Sequence, residues 1–375
     1  MVFLEITFRI RVQLQLYTDL AQAVPLLQPV HPRTIRVRSH NNRFDSENPK
    51  HNTIVPYRPF PNIIGFKQSS PPTNSPKMSS TTTAQPTPTQ PPIPAVHPTY
   101  PDLRSRVALI TGIGQVGSPT STTWGNGAAT ARLLAHNGVK IFGCDLHLSA
   151  AQRTQSRLQA EFPELDIEVM AADVTQTSDV EAFVQAAVAK HGRIDILINN
   201  VGMTAPGSPA SMREETWNSQ IDLNLTSVYR LCHAVLPVME TQASGGSIVN
   251  NASITALRYI GKPQIAYAAA KAAVLQFTRA TGAMYAHKQI RCNAVVPGLM
   301  YTPLVENLAN SEKSEDREVA GRIMRHNVPM GWMGTGEDVA NAVVWLGSGA
   351  SRYVTSQTLV VDGGITESTG TGFGM

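Results

Sequence analysis

Tyr267 and Lys271 stand four residues apart in a stretch, 267–286, whose apolar spacing predicts a helix, so both side chains project from one face. An ammonium beside a phenol stabilises the phenolate and draws its pKa down from about 10, as a general acid or base working near neutrality requires. Ser253 follows an apolar run at 247–251 that reads as a strand, and a hydroxyl at the carboxyl end of a strand is placed to hold a substrate oxygen. Singly, these residues have plainer readings, a surface ion partner and a strand-end serine. Their weight comes from occurring together.

A second set points to a dinucleotide. The literal Gly-x-Gly-x-x-Gly at Gly112, Gly114 and Gly117 runs into Ser118-Pro119-Thr120-Ser121-Thr122-Thr123, which does not open a helix. The better helix start is Trp124-Gly125-Asn126-Gly127, because an alanine-rich helical pattern follows directly. The phosphate-binding turn is therefore placed between Gly112 and Gly127. Asp145 closes the next strand, 33 residues after Gly112, and the long first loop accounts for the excess over the usual spacing of about 20. A carboxylate there accepts the adenosine ribose hydroxyls and repels a 2′-phosphate, so it favours NAD over NADP. His147 would soften that preference when protonated.

These residues need a scaffold, and after residue 103 strand-length apolar runs alternate with helical patterns, the signature of βαβ units. Strands are expected at 107–111, 140–145, 167–171, 194–199, 247–251, 290–296 and 358–361. Helices are expected at 128–137, 149–162, 178–191, 213–239, 267–286 and 337–347. The fold class is α/β: one Rossmann-like domain, 103–375, with a doubly wound, seven-stranded parallel sheet flanked by helices. Residues 302–327, a connection long enough to be functional, are expected to form a lid. Met203, Ile260, Met300 and Leu304 would make its pocket apolar, suited to a hydrophobic or cyclic alcohol.

Thr111-Gly112 with Gly125-x-Gly127, Asp173, Asn199-Asn200-Val201-Gly202, Asn224, Ser253, Tyr267-x-x-x-Lys271, Pro297-Gly298 and Val361-Asp362-Gly363-Gly364 occur in one order. This set resembles the short-chain dehydrogenase/reductase family from about Leu103 to Gly364. The resemblance implies an NAD(P)-linked oxidoreductase interconverting a secondary alcohol and a ketone. It assigns Asn224, Ser253, Tyr267 and Lys271 as a catalytic tetrad, with Tyr267 exchanging the proton, Ser253 holding the substrate oxygen, Lys271 binding the nicotinamide ribose and Asn224 anchoring a water. It further implies cofactor contacts at Asp173, Val174, Asn200, Gly202, Pro297, Gly298 and Thr302, substrate binding under the lid at 302–327, and a homodimer or homotetramer built through the helices at 213–239 and 267–286. Two features depart from the family pattern: 12 residues separate Gly112 from Gly125, and the Ser253-to-Tyr267 interval is 14, one longer than usual. The stretched glycine loop also resembles the enoyl reductase branch, although that branch separates its Tyr and Lys by six residues. A nucleotide-sensing regulator is a third reading, disfavoured by the presence of all four tetrad candidates.

Composition sets the outer bounds. Residues 1–100 carry 16 of the 26 prolines, one of the 27 glycines, and 10 Lys and Arg against 4 Asp and Glu; the remainder carries 21 against 23. The basic balance thus belongs to the extension, and the folded part is not expected to bind nucleic acid. No run approaches the roughly 18 apolar residues of a membrane span. Residues 1–102 read as a low-complexity, largely disordered extension, with a Ser/Thr/Pro/Gln linker at 69–101 and a period-two strand pattern over the first 16 residues. Translation from Met78 would leave that segment out. Cys144, Cys232 and Cys292 are three widely spaced cysteines without metal-ligand spacing, as expected of a reduced, cytoplasmic protein. The arginines near the N-terminus keep a mitochondrial presequence as an alternative.

Overall fold

The computed structural model describes residues 97–117, 121–315, 317–318 and 328–369. The N-terminal strand pattern, most of the linker, Met78 and much of the expected lid lie outside these residues. Residues 97–102, assigned to the extension by composition, contact the domain: the Tyr100 amide donates to Asn137 Oδ1 at 2.6 Å, and a short 3-10 turn at Pro101–Leu103 buries Leu103.

Chain order runs β1 (Val107–Thr111), α1 (Asn126–His136), β2 (Lys140–Asp145), α2 (Leu148–Glu161), β3 (Ile167–Ala171), α3 (Thr177–His191), β4 (Ile196–Asn199) and α4 (Glu214–Ile221). A π-helical turn, Asp222–Thr226, leads into α5 (Ser227–Glu240), β5 (Gly246–Asn251), α6 (Ile265–Tyr285), β6 (Ile290–Pro297), β7 (Met300–Tyr301), α7 (Pro303–Ala309), β8 (Gly334–Thr335), α8 (Gly336–Gly347) and β9 (Thr358–Val361). The main sheet is parallel throughout, in the order β3-β2-β1-β4-β5-β6-β9. Its order reverses between β1 and β4, which opens a crevice at their carboxyl ends. Every residue of β1 and β4 is buried because helices cover both faces, and the apolar sequences Val-Ala-Leu-Ile-Thr and Ile-Leu-Ile-Asn suit that double burial.

Beyond shifts of one or two residues at element ends, one helix and two short strands differ from expectation. The helix expected at 213–239 is interrupted by the π-turn around Asn224, whose Nδ2 donates to the Gln220 carbonyl at 2.9 Å and so competes with the regular backbone ladder there. The two-residue strands β7 and β8 pair Met300 with Gly334 and Tyr301 with Thr335, and thereby close the base of the 302–333 excursion. Strands this short leave no period to read.

Candidate active site

The helix bearing Tyr267 and Lys271 is locked to the sheet by a buried polar ladder. Asn199 Nδ2 donates to Asn250 Oδ1 at 2.8 Å across β4 and β5, Asn250 Nδ2 donates to Thr278 Oγ1 at 2.9 Å, and the Thr278 hydroxyl donates to the Val274 carbonyl at 2.7 Å within α6. Asn199 Oδ1 is left without a partner, but the three linked bonds of the ladder join β4, β5 and α6 and favour one register of α6 against β5.

That register places the Tyr267 phenol near the Ser253 hydroxyl, whose influence favours the phenolate. Ser253 itself is fixed by accepting from the Thr255 amide at 3.3 Å, at the head of a 3-10 turn, Ile254–Ala256. Lys271 is 2% exposed; its Nζ lies 5.7 Å from the centre of the Tyr267 ring and donates to the Asn251 carbonyl at 2.8 Å. Burial pushes the Lys271 pKa down to about 8. Burial also raises the Tyr267 phenol above its ordinary value, and the nearby Ser253 hydroxyl only partly offsets that. The lowering expected from Lys271 is therefore not the net result in this structure.

Asn224 is fully buried; it accepts from the Met203 amide at 3.1 Å and donates to the Met203 carbonyl at 3.0 Å, which pins the strand-end loop to the π-turn. Gly202 lies between the two functional side chains: a Cβ there would come within 3.1 Å of both Asn224 Oδ1 and Lys271 Nζ. Asn224, Ser253, Tyr267 and Lys271 are thus gathered at the carboxyl ends of the central strands β4 and β5.

At the nucleotide end Gly125 caps α1 without any side-chain hydrogen bond, leaving its first amides unclaimed by a cap, and Asn126 Oδ1 is buried without a partner. Gly127 must be glycine, since a Cβ would sit 2.2 Å from the Gly112 carbonyl oxygen. Ile113 is buried, and Gln115 braces the loop by accepting from the Gly125 amide at 3.2 Å and donating to the Thr123 carbonyl at 2.6 Å. Trp124 is buried with the Arg157 guanidinium 3.5 Å from its ring centre, and Ser121 hydrogen-bonds Glu306 of α7. Asp145 stands at the end of β2, accepting from the Gly114 amide at 3.0 Å and the His147 amide at 3.1 Å, each oxygen retaining a free lone pair for a ribose hydroxyl.

The remaining expected contacts divide. The Asn200 side chain is committed to the framework through Gly112 and Asn251. Asp173 Oδ1 is engaged by the Thr175 amide and hydroxyl, and Val174 is buried. Pro297 and Gly298 end β6, and Thr302 caps α7. Gln115, Asn250 and Thr278 escaped the sequence reading; the doublets Asn199-Asn200 and Asn250-Asn251, at the ends of two expected strands, were the available signal for the ladder. The three cysteines are buried and unpaired, and among the described residues no group of three His, Cys, Asp or Glu is placed to hold a metal. A cavity of about 510 Å³, lined by Asp102, Arg106, Asp195 and Arg291, opens at the amino ends of the strands, away from these residues.

The family model described as enoyl-(acyl carrier protein) reductase matches residues 121–366. A 3-oxoacyl-acyl-carrier-protein reductase from Chlamydia muridarum is 36% identical over 268 residues, 70% of this chain and 98% of its own length. A solved short-chain dehydrogenase/reductase structure from Burkholderia xenovorans is 40% identical with a TM-score of 0.65, covering 71% of this chain and 98% of the other. The chain belongs to the short-chain dehydrogenase/reductase family. Another relative, 3beta-hydroxysteroid dehydrogenase 1 from Eggerthella lenta, is 35% identical over 277 residues, 73% of this chain and 99% of its own length. As a short-chain dehydrogenase/reductase the chain is an oxidoreductase interconverting alcohol and ketone groups with NAD(P). The site fits that cofactor: an uncapped helix start for the pyrophosphate, a strand-end carboxylate for a ribose, and a Lys271 ammonium with one of its three donors in use. No helix among the described residues is long and apolar enough to cross a membrane.

Proposed function

We propose that the chain reduces an apolar ketone to a secondary alcohol, and runs the reverse oxidation, with Tyr267 as the proton donor and acceptor and with NAD preferred to NADP. The hydroxyl pair of Ser253 and Tyr267, backed by a Lys271 ammonium anchored on Asn251, carries this reading. A carbonyl oxygen seated between the two hydroxyls receives a hydrogen bond from Ser253 and, as negative charge develops on it, the proton from Tyr267. Burial keeps the phenol protonated at neutral pH, the state a donor needs for reduction. The nicotinamide, when bound, supplies the hydride.

Lys271 would hold the nicotinamide ribose with the donors left after Asn251, and the Asn224 π-turn would anchor a water leading the proton outward. Gly112, Gly125, Asn126 and Gly127 would cradle the pyrophosphate, Asp145 the adenosine ribose, Asp173 and Val174 the adenine side, Asn200, Gly202, Pro297 and Gly298 the crevice wall, and Thr302 the carboxamide. Exposed Tyr229, stacked on His233, and exposed Met284 mark the α5 and α6 faces as the surfaces for a homodimer or homotetramer.

The reading is tested by titrating NADH and NADPH onto wild type and Asp145→Ala, then assaying a ketone and alcohol panel with wild type and Tyr267→Phe. Tighter binding of NADPH than NADH by wild type overturns the cofactor assignment. Turnover that survives in Tyr267→Phe overturns the proton assignment.

A further inference from the structure

Arg258 stands in the loop between Ser253 and α6, and its hydrogen bonds reach a distant part of the chain. Its Nη1 donates to the carbonyls of Ile365 at 3.0 Å, Thr366 at 2.8 Å and Ser368 at 2.8 Å. These oxygens belong to a turn that begins at the end of β9 and rests on the end of β6. Gly298 has no room for a side chain there, because a Cβ would lie 2.6 Å from Asp362 Cα, and the Gly298 amide donates to the Val361 carbonyl at 2.8 Å. The Asp362 carboxylate rounds the turn off by accepting from the amides of Gly364 at 2.8 Å and Thr366 at 2.7 Å. Ile365, 5% exposed, joins the core cluster that contains Ile254, against which Ala256, Ile260, Leu299 and Val328 are packed. The loop that follows Ser253 thus meets the C-terminal turn through Arg258, and that turn meets the segment after the lid, where the Met330 amide donates to the Gly363 carbonyl at 3.2 Å. On either side of Arg258, Leu257 and Tyr259 are exposed.

A guanidinium gains most from an anion when its whole fork faces it. Here one Nη1 serves three backbone oxygens, and a cation held by carbonyls at the end of a turn acts as a tie. We propose that Arg258 is a positioning residue that sets substrate selectivity: it fixes the turn Ile365–Ser368 as one wall of the substrate pocket and does not itself bind the substrate. This rests on the reading that Ser253 and Tyr267 hold the substrate oxygen. The pocket then selects its ketone by shape and apolar contact at this wall.

The test compares wild type, Arg258→Met and Arg258→Lys as full chains. Three quantities are read: amide hydrogen exchange over residues 363–368; kcat and KM for a compact ketone (cyclohexanone), a bulky one (2-decalone) and an anionic one (2-oxohexanoate); and the Kd of NADH. In Arg258→Met, exchange at the turn should rise about tenfold, and KM for the bulky ketone should change about tenfold relative to the compact one, with kcat and the NADH Kd within about twofold. Arg258→Lys, which keeps one charged donor group, should fall between the two and carries the same comparison if the methionine variant does not fold. Unchanged exchange and unchanged selectivity overturn the proposal. So does a KM that rises only for 2-oxohexanoate, which would make Arg258 a substrate receptor. If wild type turns over none of the three ketones while Arg258→Met still speeds exchange at the turn, the ketone reading fails and the tie stands.

Discussion

Asn200 joins Gly112 to Asn251: its Nδ2 donates to the Gly112 carbonyl at 2.9 Å, and its Oδ1 accepts from Asn251 Nδ2 at 2.8 Å. Because Lys271 donates to the Asn251 carbonyl, connected polar contacts run from the nucleotide turn to the ammonium beside Tyr267. One side chain thus fixes the spacing between the two halves of the site.

Asn200→Ala strands a half-buried carbonyl on one side and an amide group on the other. It should lower stability by about 1–3 kcal/mol and weaken NADH binding about tenfold. Thermal unfolding and a fluorescence titration check both. Wild-type values in both would show that β1 and β5 hold the turn without this bridge.

In the proposed mechanism the hydroxyl pair acts in the chemical step. Ser253→Ala and Tyr267→Phe should each lower kcat about 10²–10⁴-fold, with the NADH Kd nearly unchanged. The raised Tyr267 pKa fixes the sign of the pH dependence. Reduction uses the protonated phenol and should stay level through neutral pH, whereas oxidation uses the phenolate and should climb with pH. Initial rates in both directions across pH 6 to about 9 decide it; an oxidation rate that falls with rising pH removes Tyr267 as the base.

Much of this was legible because the chemistry and the fold share their punctuation. Asp145 and Ser253 stand at the ends of apolar runs, Gly125 and Gly127 precede an alanine-rich pattern, and Tyr267 and Lys271 lie one helical turn apart, so strand ends and candidate site residues were read from the same boundaries. Five of the seven main strands begin where expected, and β1, β2, β3 and β9 match at both ends. What escaped was set by tertiary contact. The π-turn depends on Asn224 reaching back to Gln220, the tie on Arg258 meeting carbonyls more than a hundred residues away, and the net Tyr267 shift on burial outweighing its polar neighbours. None of these leaves a periodic trace.

Lys271 should carry a stability signature. Its folded-state pKa of about 8 lies below the ordinary lysine value of 10.5, so between these values the unfolded chain binds the extra proton and stability rises with pH. Wild type should gain about 1–2 kcal/mol relative to Lys271→Met between pH 8 and about 9.5, below the range in which Tyr267 titrates. Denaturant unfolding at several pH values measures the difference. Parallel curves for the two proteins would place the ammonium in solvent contact and remove the cost of burying it.

The inserted glycine loop depends on Gln115 as well as on its glycines. Gln115 is 4% exposed and is the side chain that ties Thr123 to Gly125, which fixes where α1 begins and where its free amides point. Gln115→Leu keeps most of the volume but leaves the Thr123 carbonyl and the Gly125 amide without these partners. It should weaken NADH binding about tenfold through a misplaced helix start, at a stability cost of about 1–3 kcal/mol, while kcat at saturating cofactor stays close to wild type. Gln115→Glu separates the two bonds, because a carboxylate still accepts from Gly125 but cannot donate to Thr123. If the amide contact positions the helix, the glutamate variant should bind NADH more tightly than the leucine variant; equal affinities would assign the bracing to Trp124 and Arg157 instead.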